Sequence, residues 1–106
     1  MDFETALAGF LTVAQSKVDQ SYGESSNRHT IEVERGIRYI RVIRAEYGKD
    51  NKRIGRSAYC FVDTTNGNVL KSGGWKGPAK GARSNIYAPD FGASGITAYG
   101  AVYHYR

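Results

Sequence analysis

The chain predicts an α+β domain: one N-terminal amphipathic helix packed on an antiparallel meander of three to four strands. Three observations predict it. Residues 2–22 repeat their apolar side chains at helical spacing. From His29 to Leu70 the pattern changes to β-branched and aromatic runs with polar residues interleaved. Gly36, the polar stretch 48–55 and Asn66-Gly67 punctuate those runs. At 106 residues the chain is one domain, 1–106, with a modest core, a size that invites a homo-oligomer.

In the helix, Phe3, Leu7, Phe10, Ala14 and Val18 form one stripe, widened by Ala6 and Leu11. Asp2 caps the first turn, Glu4 complements the dipole, and Gly23 is placed to take a left-handed cap. Residues 23–28 make a polar loop. Ile31 and Val33 then alternate with Glu32 and Glu34, and Gly36 permits a tight turn. The run 37–44 interleaves arginines with β-branched residues, so one of its faces meets the helix and the other is partly wet. Residues 57–63 read as a central strand. Asn66-Gly67 is a strong hairpin signal, with Asp63 ordering the turn and Val69 and Leu70 opening the returning strand. Residues 96–106 form a short final strand broken at Gly100, or an ordered tail.

Charge supplies the first functional pointer. Lysine and arginine number 15 against 10 acids, a net charge of +5 that favours anionic partners. The excess is concentrated in residues 71–86, which hold Lys71, Lys76, Lys80, Arg83, four glycines and Trp75; no acid lies between Asp63 and Asp90. Glycines let a backbone approach a ligand, cations supply charge and tryptophan supplies a stacking face. The segment reads as an anion cradle, with residues 79–86 starting a short helix whose N-terminus points at a phosphate; Lys76, Lys80 and Arg83, spaced four and three apart, share a face on a helical turn. Trp75 stacks on a base, and Asn85 reads an edge or braces the loop. It is not a Walker loop, because Gly77 and Gly81 stand one residue too close and no lysine follows. The other reading is a flexible basic loop with Trp75 in the core.

Arg38, Arg41 and Arg44 make a secondary basic surface. A sheet of interleaved cations and aromatics is how many single-strand binders present themselves. Cross-strand ion pairing with Glu32 and Glu34 is the favoured account of the three arginines. His29 and His104 have no metal-ligand neighbours, and one cysteine makes no zinc pattern. Cys60, in an apolar strand, reads as a buried inert thiol. No catalytic constellation emerges, so the expectation is a non-enzymatic protein without cofactor or metal. A lone thiol, no basic leader after Met1 and no long apolar run point to a cytoplasmic protein away from membranes.

The hairpin of residues 58–71, followed by Trp75-Lys76-Gly77-Pro78-Ala79-Lys80 and Arg83-Ser84-Asn85, resembles a set of small bacteriophage proteins, mostly without assigned function. They carry a similar hairpin and a Trp-Lys-x-Pro-Ala-Lys-x-x-Arg-like motif, and Tyr99-Gly100 is similar to a dipeptide near their C-termini. The likeness covers about residues 57–106, with Ser84 standing where it predicts glycine. It implies a phage protein acting in the host cytoplasm and implies no activity. The ligand expected from the residues is single-stranded nucleic acid. Two alternatives stand beside it: a sponge for a small phosphorylated nucleotide that signals immunity (an anti-defence protein), and an inhibitor that binds a host protein.

Overall fold

A computed structural model describes residues 1–102. Helix α1 spans Phe3–Tyr22, and its first turn is capped by Asp2, whose Oδ1 accepts the Thr5 N–H at 2.8 Å. The predicted stripe is the buried one: Leu7, Phe10, Ala14 and Val18, joined by Ala6, are sealed from solvent, with Phe3 and Leu11 partly covered. The C-terminal cap differs from expectation. Gly23 has φ −61°, in the right-handed region. Glycine serves there through closeness, since a Cβ would come within 2.5 Å of the Asp19 carbonyl oxygen.

Five strands follow in a continuous antiparallel meander: β1 Arg28–Arg35, β2 Tyr39–Tyr47, β3 Arg53–Asp63, β4 Asn68–Ser72 and β5 Pro78–Asn85, ordered 1-2-3-4-5. The class is as predicted, with more strands than the three to four expected. The extra strand is the segment read as the start of a helix. Asn68, Val69 and Leu70 of β4 would otherwise present an empty edge, and they pair with Asn85, Ser84 and Ala82. A ladder of backbone bonds outweighs local propensity here. The register shifts along β5 are accommodated at Gly81, whose φ of +94° lies where glycine is favoured, and at Arg83, which stands between paired residues. Asn66-Gly67 makes the predicted turn, with Gly67 at φ +78° and its N–H donating to the Asp63 carbonyl.

Helix and sheet enclose one core, built by Phe10 and Leu7 against Ile40, Val42, Cys60, Val62, Val69, Ile86 and Ile96. Strand β3 carries a bulge: Val42 pairs with Cys60 and Ile43 with Ala58, leaving Tyr59 as the extra residue. Tyr59 joins the core and donates its hydroxyl to the Thr97 carbonyl. The C-terminal stretch makes a 3₁₀ turn, Ala93–Gly95, and a second, two-stranded sheet of β6 Ile96–Thr97 and β7 Gly100–Ala101. Lys17 Nζ ties it to the helix by donating to the carbonyls of Ala93 and Ile96, each at 2.8 Å. The final strand predicted over 96–106 is thus a small hairpin as far as Ala101, and residues 103–106, with His104, lie outside the described residues. Among the described residues no helix is long and apolar enough to cross a membrane.

Candidate nucleic-acid interface

The sheet face away from α1 is built by one cross-strand row. Glu34, Arg41, Phe61, Leu70 and Ala82 stand opposite one another on β1 to β5. Directly paired residues share a face, and their neighbours Ile40, Val42 and Val62 point into the core. Phe61 and Leu70, with Ile43 and Ala45, are buried yet stand apart from the helix-facing cluster. Polar and aromatic side chains lie over them.

Trp75 is at the centre of that layer. It sits in the loop between β4 and β5, half-buried, with the Arg41 guanidinium 4.5 Å and the Arg56 guanidinium 4.3 Å from its ring centroid. Its carbonyl accepts the Arg41 Nε proton at 2.7 Å. Glu34 bridges the same two arginines, at 2.6 Å to Arg41 Nη1 and 3.7 Å to Arg56 Nη1. Arg56 reaches this face because of the Tyr59 bulge: plain alternation back from Phe61 would turn it toward the helix, whereas here it pairs with Ala45.

The lysines of the motif border two adjoining grooves. Lys76 lines one with Glu34, Arg38, Tyr39, Arg41 and Phe61. Lys80 lines the next with Arg38, Tyr39, Asp63 and Leu70. Both are exposed, and neither is ion-paired among the described residues. Arg38 and Tyr39 belong to both grooves, with the guanidinium 5.3 Å from the Tyr39 ring centroid. Farther along the face Arg28 covers the Tyr47 ring at 4.6 Å. Cation and ring thus come together at Trp75, at Tyr39 and at Tyr47 across one surface.

The predicted site residues divide accordingly. Trp75, Lys76, Lys80, Arg38 and Arg41 are brought together. Lys76, Lys80 and Arg83 do not share a helical face, because the segment is β5 and its preceding loop. Arg83 is half-buried and structural: Nε donates to the Val102 carbonyl at 2.9 Å and Nη1 to the Lys80 carbonyl at 3.0 Å and the Gly81 carbonyl. Asn85 is a brace, its Nδ2 donating to the Asn66 carbonyl at 2.8 Å and to Asn68 Oδ1 at 2.9 Å. Lys71 is half-buried on β4 and lines a separate groove with Tyr59, Thr97 and Tyr99. Arg44 faces the helix, where it donates to the Tyr22 hydroxyl at 2.6 Å and so makes no pair with Glu32 or Glu34. Glu32 instead accepts from Tyr47 at 2.5 Å and from Thr30 at 3.0 Å. Of the ion pairs expected for the arginines, the one between Arg41 and Glu34 forms, and Arg38 pairs with Asp63 at 3.3 Å.

Three contributors escape a reading of the sequence: Arg56, placed by the bulge; Tyr39, beside Arg38; and Tyr47, beside Arg28. The Tyr-rich, Arg-rich composition of β2 is the available signal for the last two. Cys60 is buried as predicted, and burial pushes its thiol well above the ordinary range, which leaves it a poor nucleophile. Among the described residues no cluster of His, Cys, Asp or Glu is placed to hold a metal ion.

Residues 3–101 match the model of a family of unknown function, DUF7717, and the chain belongs to that family. No curated protein matches the chain, and no solved structure does.

Proposed function

We propose that this is a phage-encoded, non-enzymatic binding protein that holds single-stranded nucleic acid along the sheet face opposite α1. One observation carries the reading: Arg38, Arg41, Arg56, Lys76 and Lys80 stand on that face beside Tyr39 and Trp75. Cations track a phosphodiester backbone, and a flat ring on the same surface, such as that of Tyr39, accepts a base of any sequence, so the combination suits a strand whose bases are unpaired. The grooves at Lys76 and Lys80 adjoin through Arg38 and Tyr39, a continuous path rather than one closed pocket. That continuity favours a strand over a sequestered small nucleotide. Phage origin rests on the hairpin and Trp-Lys-x-Pro-Ala-Lys motif alone.

The test is fluorescence anisotropy with a labelled single-stranded oligonucleotide across a salt series. Binding should weaken steeply with salt. Lys76→Ala with Lys80→Ala should weaken it about tenfold at low salt. The same change should lower the salt slope by about 1.4, at about 0.7 for each phosphate that is no longer neutralised. The double variant should melt with the wild type, since both side chains are exposed. No binding at low salt, or unchanged binding by the double variant, overturns the reading. A mononucleotide or cyclic dinucleotide retained with little salt dependence would replace it with sequestration.

A further inference from the structure

We infer that Arg41 and Arg56 form a nucleotide-binding site that the free protein fills with its own groups: the Glu34 carboxylate in place of a phosphate and the Trp75 indole in place of a base. The inference rests on the proposed nucleic-acid reading and gives it a centre. A nucleotide offers a guanidinium two things, an anionic oxygen pair and a flat π-face. Arg41 and Arg56 each already hold one of both kinds. The geometry is therefore set for one phosphate and one stacked base before any ligand arrives.

Of the occupants, Glu34 is about half exposed and Trp75 is half-buried. The side chains of Glu34, Arg56 and Arg41 remain 49%, 38% and 24% exposed, so solvent and ligand reach the site. Trp75 rides on a loop containing Gly73, Gly74 and Gly77. Around Gly74 and Gly77 there is open space, with nothing within 4 Å of where a Cβ would project. The loop's closing bonds are internal: Gly73 N–H to the Gly77 carbonyl at 2.9 Å, and the Ser72 hydroxyl to Gly74. Trp75 itself is tied to the sheet through its carbonyl, by the hydrogen bond from Arg41. An incoming strand displaces the indole and the carboxylate by offering the same two interactions, a singly charged phosphodiester and a base, together with neighbouring phosphates for Lys76 and Lys80. A ligand whose site is open for only part of the time binds more weakly by that fraction, so removing a surrogate strengthens binding.

Trp75 is the only tryptophan, and its emission reports this ring alone. The experiment is titration with a short oligothymidylate, following both anisotropy and tryptophan emission in wild type, Trp75→Ala and Glu34→Gln. Displacement predicts a red shift in wild-type emission on binding, about tenfold tighter binding by Trp75→Ala, and a smaller gain, about threefold, by Glu34→Gln. Weaker binding by Trp75→Ala would make the indole a stacking platform and overturn the inference. So would binding with emission unmoved and both variants at wild-type affinity; the sheet-face reading would survive that result. If neither wild type nor either variant binds at low salt, both fall together. Should Trp75→Ala fail to fold, Glu34→Gln decides, because it keeps the loop and removes only charge.

Discussion

The side chain of Gln15 takes the place of a sixth strand for Ile31. The Ile31 N–H donates to Gln15 Oε1 at 2.8 Å, and Gln15 Nε2 donates to the carbonyl of His29 at 3.1 Å. One amide thus meets a donor and an acceptor two residues apart on β1, as a neighbouring backbone would. An edge strand with open bonding groups is a template for unwanted pairing, and this helix residue covers part of it.

Gln15→Ala should therefore destabilise the fold by about 1–2 kcal/mol, reading as a lower urea midpoint with unchanged slope. Exchange of the Ile31 amide should speed up more than that of Val33. Gln15→Glu keeps the acceptor but sets a carboxylate against the His29 carbonyl and the Asp19 carboxylate, both of which accept from Nε2, so it should destabilise at least as much; a neutral Gln15→Ala would show that water replaces the clasp at no cost.

Gly9 sits mid-helix, where alanine is ordinarily better by about 1 kcal/mol. Here the sign should reverse. A Cβ on Gly9 would lie 2.3 Å from Cδ1 of the Phe91 ring, and Phe91 is itself held at φ +56°. Gly9→Ala should cost about 1–3 kcal/mol through overpacking. Phe91→Ala should absorb much of that penalty, so the double variant falls short of the sum of the singles in a denaturation cycle.

Asp63 makes the fold acid-sensitive. Burial disfavours its charge, but the Thr65 hydroxyl at 2.6 Å, the Thr65 N–H at 2.9 Å and Arg38 at 3.3 Å outweigh burial and hold the carboxyl below its usual range. A carboxyl lowered in the folded state stabilises fully above its unfolded pKa of about 3.9, and that contribution drains away as pH falls below it. Denaturant midpoints should hold from pH 7 to about 5 and then decline. Asp63→Asn should be less stable at pH 7 by about 1–3 kcal/mol and show a shallower acid decline. Some decline should persist, because Asp90, hydrogen-bonded by the Gly92 and Ser94 amides, is also lowered.

The helix, its cap and the Asn66-Gly67 turn are legible in the sequence because each depends on close neighbours along the chain. β5 is not. Pro78 and Gly81 are poor strand residues, and only the bonding capacity of β4 makes residues 78–85 extended. The site is half legible for a related reason. Composition points to Trp75, Lys76 and Lys80, and they do meet on one surface with Arg38 and Arg41. Arg56 is hidden because one inserted residue, Tyr59, reverses the alternation that assigns strand residues to faces. Arg83 and Asn85 look like ligand groups in sequence, yet both are engaged within the fold, Arg83 at the Val102 carbonyl and Asn85 at the Asn66 carbonyl, each nineteen residues away along the chain.

The bonds from Lys17 to the carbonyls of Ala93 and Ile96 reach across 76 and 79 positions of chain. Synthesis runs from the N-terminus, so α1 leaves the ribosome long before its anchors exist. A helix of this kind owes most of its stability to the packing of its apolar face. During translation the stripe through Leu7, Phe10 and Val18 first meets β1 and β2, and it stays partly uncovered until Ile86 and Ile96 close the core.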